Sequence, residues 1–245
     1  MRHRYSLVSI LVLFALTFVV ASSYADRPAA VEETPSGPIQ KIEVTKIRPS
    51  AATPVCQPGV NDPHFTMNYL YPPDDEYYTL IDPATCGCAE QGAVLATAAH
   101  MILDFPEACS IPVSVAIVAA DLSNPSCPVP MRGHYLCAPV DFDIEVSNPG
   151  GYDFVMPLDA TCCITQKAFL LITFREVGTC GSVPSLYVSF GCDPCTSWNY
   201  WPDGALVDLC DGYLLGNPNM YVDAACCGVV PTLPDTWGQL KALYR

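Results

Sequence analysis

The chain has 245 residues, of which 51% are hydrophobic and 15% charged, with a formal net charge of −14. Between Pro49 and Leu240 only Arg132, Lys167 and Arg175 are basic, against 21 acidic residues, a local net charge of −18. A body this acidic repels phosphate backbones and anionic lipid, which argues against nucleic acid as a partner.

In chain order, residues 1–25 read as a secretory signal peptide. Arg2, His3 and Arg4 give a positive start, Leu7 to Val20 an apolar stretch, and Ser23-Tyr-Ala25 small residues for cleavage. The apolar stretch is short for a bilayer span and no second long one follows, so no membrane span is expected in the mature chain. The implied location is secreted: extracellular, cell surface or periplasm. The implied partners are the secretion machinery and a glycan or cell-surface component.

Residues 26–55 carry five prolines and read as a linker or extended arm. Within it Ile39 to Ile47 is suited to an edge strand, with lysines on the exposed edge. Residues 56–230 read as one disulfide-stapled β domain. Its opening, Cys56 to Ile81, looks irregular, with aromatics covering the side of a sandwich. Ala93 to Leu103 is ambiguous between helix and strand and is taken as strand. Val113 to Val118 is a strand, and Asp121 to Val140 a proline-rich loop. Asp141 to Val146 alternates strictly, so Phe142, Ile144 and Val146 face the core while Asp141, Asp143 and Glu145 share the other face. Asn148-Pro-Gly-Gly151 is a turn into the next strand. Ala168 to Phe174 and Leu186 to Phe190 are two further β runs, read as a hairpin bracketed by cysteines. Ala205 to Val207 is a short strand. Residues 231–245 read as a tail helix capped by Asp235, either docked on the domain or acting as a sorting tag.

The segments 82–127 and 159–195 share an order: cysteine pair, β run, Glu, Cys, Pro, β run, Cys. Such an order can be the trace of a duplicated half-domain. Asp223-Ala-Ala-Cys226-Cys227 repeats its opening signature.

Fourteen cysteines follow the leader: Cys56, Cys86, Cys88, Cys109, Cys127, Cys137, Cys162, Cys163, Cys180, Cys192, Cys195, Cys210, Cys226 and Cys227. The even count and the leader point to disulfides in an oxidising compartment. In an extended chain neighbours point to opposite faces, so Cys162 and Cys163, and likewise Cys226 and Cys227, should take different partners. Cys86-x-Cys88 and Cys192-x-x-Cys195 lack the second pair or the histidines that zinc needs, and read as structural.

Ala96-Thr-Ala-Ala-His100 resembles the histidine segment of chymotrypsin-like serine proteases. Met101 stands where that family has cysteine, and the Gly-Asp-Ser-Gly nucleophile segment is absent. A triad needs its nucleophile, base and acid together, so His100 reads as a buried or capped strand histidine.

Two site candidates stand out. Trp198, Asn199, Tyr200 and Trp201 form an aromatic, polar segment suited to stacking on a sugar ring. Asp203, Asp208 and Asp211, with tight turns at Gly204 and Gly212, offer oxygen ligands of the kind calcium takes. Calcium is therefore the candidate cofactor. The expected fold is all-β: an antiparallel, jelly-roll-like sandwich, disulfide-rich, with a short C-terminal helix. The expected function is a secreted or cell-surface non-catalytic module, structural or ligand-binding, for carbohydrate or calcium. The alternative is a secreted glycosidase-like hydrolase with an acidic cleft.

Overall fold

The computed structural model describes residues 31–33, 38–44, 56–68, 74–88, 92–159, 162–176, 178–200, 204–211 and 216–227. The leader, the 231–245 tail helix, Trp201 and Asp203 lie outside the described residues.

The arm supplies two short strands, β1 (Val31–Glu33) and β2 (Gln40–Glu43). The body follows with β3 (Phe65–Asn68) and β4 (Asp75–Ile81), in a region whose prolines suggest irregularity. A 3-10 turn, Pro83–Cys86, comes next, with the Asp82 side chain accepting from Ala84 N. Then come β5 (Val94–Phe105), β6 (Cys109–Asp121), β7 (Val129–Val146) and β8 (Gly150–Pro157). The chain continues through β9 (Cys163–Ile164), β10 (Ala168–Phe174), β11 (Ser185–Val188), β12 (Ser197–Tyr200), β13 (Leu206–Asp208) and β14 (Met220–Cys226).

These strands make two sheets. The first runs β1-β3-β11-β5-β8-β2, with β14 and β9 also on β5. The second runs β13-β12-β4-β10-β6-β7. The ambiguous run at Ala93 is thus a strand, and the first sheet is built on it. Val94 pairs with Ile164 on one side and Cys226 on the other, and Leu103 with Tyr152 and Leu186. Alanines at 96, 98 and 99 keep the strand thin where two neighbours crowd it, and β14 lies against β4 and β10 of the second sheet. Met101, Leu103, Phe105, Phe154, Met156, Met220 and Val222 bury one face of the first sheet. Tyr77, Ile81, Val113, Val115, Ile117, Leu170, Ile172 and Phe174 do the same for the second. At ~1.5–3 kcal/mol per large apolar side chain, this core is the main favourable term in folding.

Several expectations are corrected. Ala168 to Phe174 and Leu186 to Phe190 are not a hairpin, because β10 belongs to the second sheet and β11 to the first. The Glu176–Pro184 connection carries the chain across the molecule. The turn at Asn148 likewise links β7 to β8 in the opposite sheet. The loop after Asp121 is shorter than expected, since β7 begins at Val129 and carries Pro130 and Pro139. A proline lacks the ladder N–H, and β7 tolerates it as an edge strand. The alternation from Asp141 to Val146 holds as read, with the three acids exposed and Phe142, Ile144 and Val146 buried.

All fourteen cysteines pair: 56–86, 88–226, 109–180, 127–195, 137–162, 163–227 and 192–210. Both neighbouring pairs take separate partners, as the geometry of extended chain requires. Cys109–Cys180 joins the two sheet-crossing connections, while β6 pairs with β10 and β5 with β11.

Candidate functional site

β12 lies beside β4 in the second sheet, with Trp198 opposite Tyr78, Asn199 opposite Tyr77 and Tyr200 opposite Glu76. Strand alternation then splits the predicted ligand segment between two faces. Asn199 turns into the core, fully buried. Its amide donates to Asp75 Oδ1 at 2.7 Å and to the Glu76 carbonyl at 3.0 Å. Tyr77 donates its hydroxyl to the other oxygen of Asp75. An acid with no exposure thus gains donors from two strands, which is what makes its burial tolerable.

Trp198 and Tyr200 turn to the outer face. They pack with Leu80, Leu122 and Leu206 on a second apolar cluster of Tyr78, Ala116, Val118, Ala120, Phe169 and Leu171. The Trp198 Nε1 has no acceptor among the described residues. Beside them stands Arg132 of β7. Its Nε donates to Glu76 Oε2 at 3.0 Å, one Nη donates to Oε1 at 3.0 Å, and its guanidinium carbon sits 4.0 Å from the Tyr200 ring centroid. This fork geometry on a carboxylate, with a ring beneath, is specific to arginine. Tyr78 also donates its hydroxyl to Glu76. Burial and then the Glu76 partnership push the Tyr78 phenol well above its ordinary range. Tyr135, opposite Val118, is half exposed next to this group, where the β6–β7 register slips at three places. Such bulges re-aim side chains, and they cluster at functional surfaces.

Sequence reasoning found Trp198 and Tyr200 but missed Arg132, Glu76, Tyr78 and Tyr135. The available signal was Arg132 itself, one of three cations in a strongly acidic body. Lys167 and Arg175 are paired too, with Asp82 at 3.6 Å and with Asp74 and Asp141 at 3.8 and 3.9 Å.

The calcium candidates are differently placed. Asp208 is buried, and its two oxygens accept from Cys195 N at 2.6 Å and Cys210 N at 3.0 Å, so it fastens two disulfide-bonded loops. Asp211 is exposed and donates its backbone N–H to the Asp208 carbonyl. Cys127 and Cys195 lie close to Asp208, but both sulfurs are spent on each other.

A second polar cluster sits on the other sheet. His100 on β5 has no exposure. Its Nδ1 lies 3.0 Å from Asp153 Oδ1 on β8, and its Nε2 lies 3.2 Å from Asp223 Oδ2 on β14, at ion-pair distance but off the line of a hydrogen bond. Tyr221 donates to Asp153 Oδ2 at 2.8 Å and stacks on the imidazole at 4.2 Å. Gln57 donates to Asp223 Oδ1 at 2.8 Å. Burial lowers the affinity of His100 for its proton, but Asp153 and Asp223 outweigh it, so the pKa is raised. Burial raises that of Asp223, and the imidazole of His100 close by, the hydrogen bond from Gln57 and the charge of Lys41 bring it down overall. The imidazole is buried between acids from two neighbouring strands, which favour its protonated form, and its burial on a strand is as the sequence reading expects.

The chain matches the family DUF7451, described as a domain of unknown function, over residues 54–223. No curated protein matches it. Among solved structures, the cysteine protease and lectin-like domains of Cwp84, a surface-layer-associated protein of Clostridium difficile, align with a TM-score of 0.41 and 11% identity over 66% of this chain. The aligned part is 33% of that chain's length, and at this distance the likeness carries no functional meaning.

Proposed function

The chain belongs to the DUF7451 family, and on that premise we propose that it is a secreted or cell-surface, non-catalytic sandwich of jelly-roll-like path that binds neutral carbohydrate on the outer face of its second sheet. The observation that carries this reading is Tyr200 beneath the Arg132–Glu76 pair, with Trp198 on the same apolar cluster and half-exposed Tyr135 opposite Val118 of that cluster. Aromatic rings suit the C–H face of a sugar, and a guanidinium–carboxylate pair presents donors and acceptors to its hydroxyls. The acidic body disfavours anionic glycans. Seven disulfides support an extracellular location. His100, the histidine of the protease-like segment, has both nitrogens facing carboxyl groups, which weighs against a serine-protease triad there. The cross-pairing of β5 with β11 and β6 with β10 supports descent of the two units from one duplicated half-domain.

The test is a glycan array probed with the mature protein and with Arg132→Ala and Tyr135→Ala, each checked for native near-UV dichroism. The reading predicts signal on neutral glycans that falls at least about tenfold in Arg132→Ala, the size of one lost charge-assisted contact. Equal signal from all three proteins, or none from the parent, overturns it.

A further inference from the structure

β2 differs from every other strand. It pairs with β8 in parallel, Gln40 to Tyr152 through Glu43 to Val155, whereas all the other named pairings are antiparallel. It is the terminal strand of the first sheet, and without it β8 would present an open edge. It also lies outside the family match, which begins at residue 54. The core-forming unit and the strand that closes its edge are therefore separable parts of the sequence.

The edge is shaped for a particular strand. Ile42 stands opposite Phe154 on the core-side row, and Lys41 opposite Asp153 on the outer row. That outer row holds the buried cluster, where two carboxyl groups, Asp153 and Asp223, meet one imidazole. Lys41 stands opposite Asp153, and its positive charge acts on Asp223. The site thus selects an extended segment with an aliphatic residue next to a lysine. Its hold is modest: Gln40 and Lys41 are exposed, and the described pairing is four residues long with one further bond from Val44 N to Val155 O. A short, exposed edge strand opens at low free-energy cost. It rejoins the body near Cys56, which is fixed to Cys86, through a stretch containing Pro49 and Pro54.

We propose that the β8 edge is a strand-acceptor site for residues 38–44 of a second copy of this chain, so that arms exchange between neighbouring molecules. The bonds made are identical whether the arm is a molecule's own or its neighbour's. The balance is then set by local concentration rather than by new contacts. Crowding on a cell surface would link copies in series, each giving an arm and receiving one.

The experiment mixes equal amounts of unlabelled and 15N-labelled mature protein at low and high concentration. A zero-length carbodiimide then couples Lys41 to Asp153 or Asp223, and the linked peptides are read by mass spectrometry. Exchange predicts that linked pairs carrying one light and one heavy half rise toward half of the total as concentration increases. It also predicts that Ile42→Pro, which keeps Lys41 but breaks the ladder, abolishes them. Only same-isotope pairs at every concentration, or mixed pairs that survive Ile42→Pro, overturn the proposal.

Discussion

Replacing His100 by leucine tests the electrostatic reading of the first sheet. The substitution nearly preserves volume but removes the cation between Asp153 and Asp223, which lie at 3.0 and 3.2 Å from its two nitrogens. It also removes the ring stacked on Tyr221. Breaking a buried ion pair from one side costs roughly 3–5 kcal/mol, because the remaining charges stay buried without a partner. The lost stack adds at most about 1 kcal/mol and is not independent of the first term. With a urea slope of ~1–3 kcal/mol/M, the unfolding midpoint should fall by ~1–5 M, with all disulfides kept intact. The pH dependence gives a second readout. The folded-state pKa of His100 is raised, so its contribution is full below the ordinary value of 6.5 and is lost as pH rises through the folded value. Asp223 is lowered, so its contribution is present above the ordinary 3.8 and is lost as pH falls through the folded value. The parent should therefore be most stable between these limits and weaken on the alkaline side, a slope that His100→Leu should lack. A loss under about 1 kcal/mol, with the same alkaline slope in both proteins, would refute the reasoning.

Other outcomes follow from the second sheet and the crosslinks. Asn199→Leu strips Asp75 of its 2.7 Å donor and should cost about 2–3 kcal/mol in the same urea assay, since a hydrogen bond to a buried acid is lost. Removing the Cys109–Cys180 bridge with a double serine substitution opens a loop of sequence separation 71. The chain-entropy estimate is about 4 kcal/mol, read as a lower melting temperature with the other six bridges confirmed by peptide mapping.

Much of the fold could be read from local pattern. Asp141 to Val146 shows strict alternation because one face of β7 is buried and the other wet. The arm strand was recognisable from its lysines, which suit an edge. The separate partners of Cys162 and Cys163 follow from chain geometry alone. What could not be read was the assignment of strands to sheets. A Gly- and Pro-marked connection looks the same whether it closes a hairpin or carries the chain across a core, as Glu176 to Pro184 does. The one hint was that Ala168 to Phe174 is apolar but for Thr173, as befits a strand buried on both faces between β4 and β6. β4 was masked by its opening acids, Asp75 and Glu76, which look like loop residues until Asn199, Tyr77, Tyr78 and Arg132 are seen to satisfy them. The same blindness hid half of the candidate site. Glu76 and Arg132 are 56 residues apart in sequence and sit on strands separated by β10 and β6, and they meet where β7 leaves its register with β6 around Arg132.

The most direct measurement is a backbone amide titration by NMR of the mature 15N-labelled protein with the strongest array ligand. The account predicts shifts concentrated at residues 76–80, 132–136 and 197–200, absent in Arg132→Ala. Shifts centred on the first sheet, or no saturable shifts at all, would contradict it.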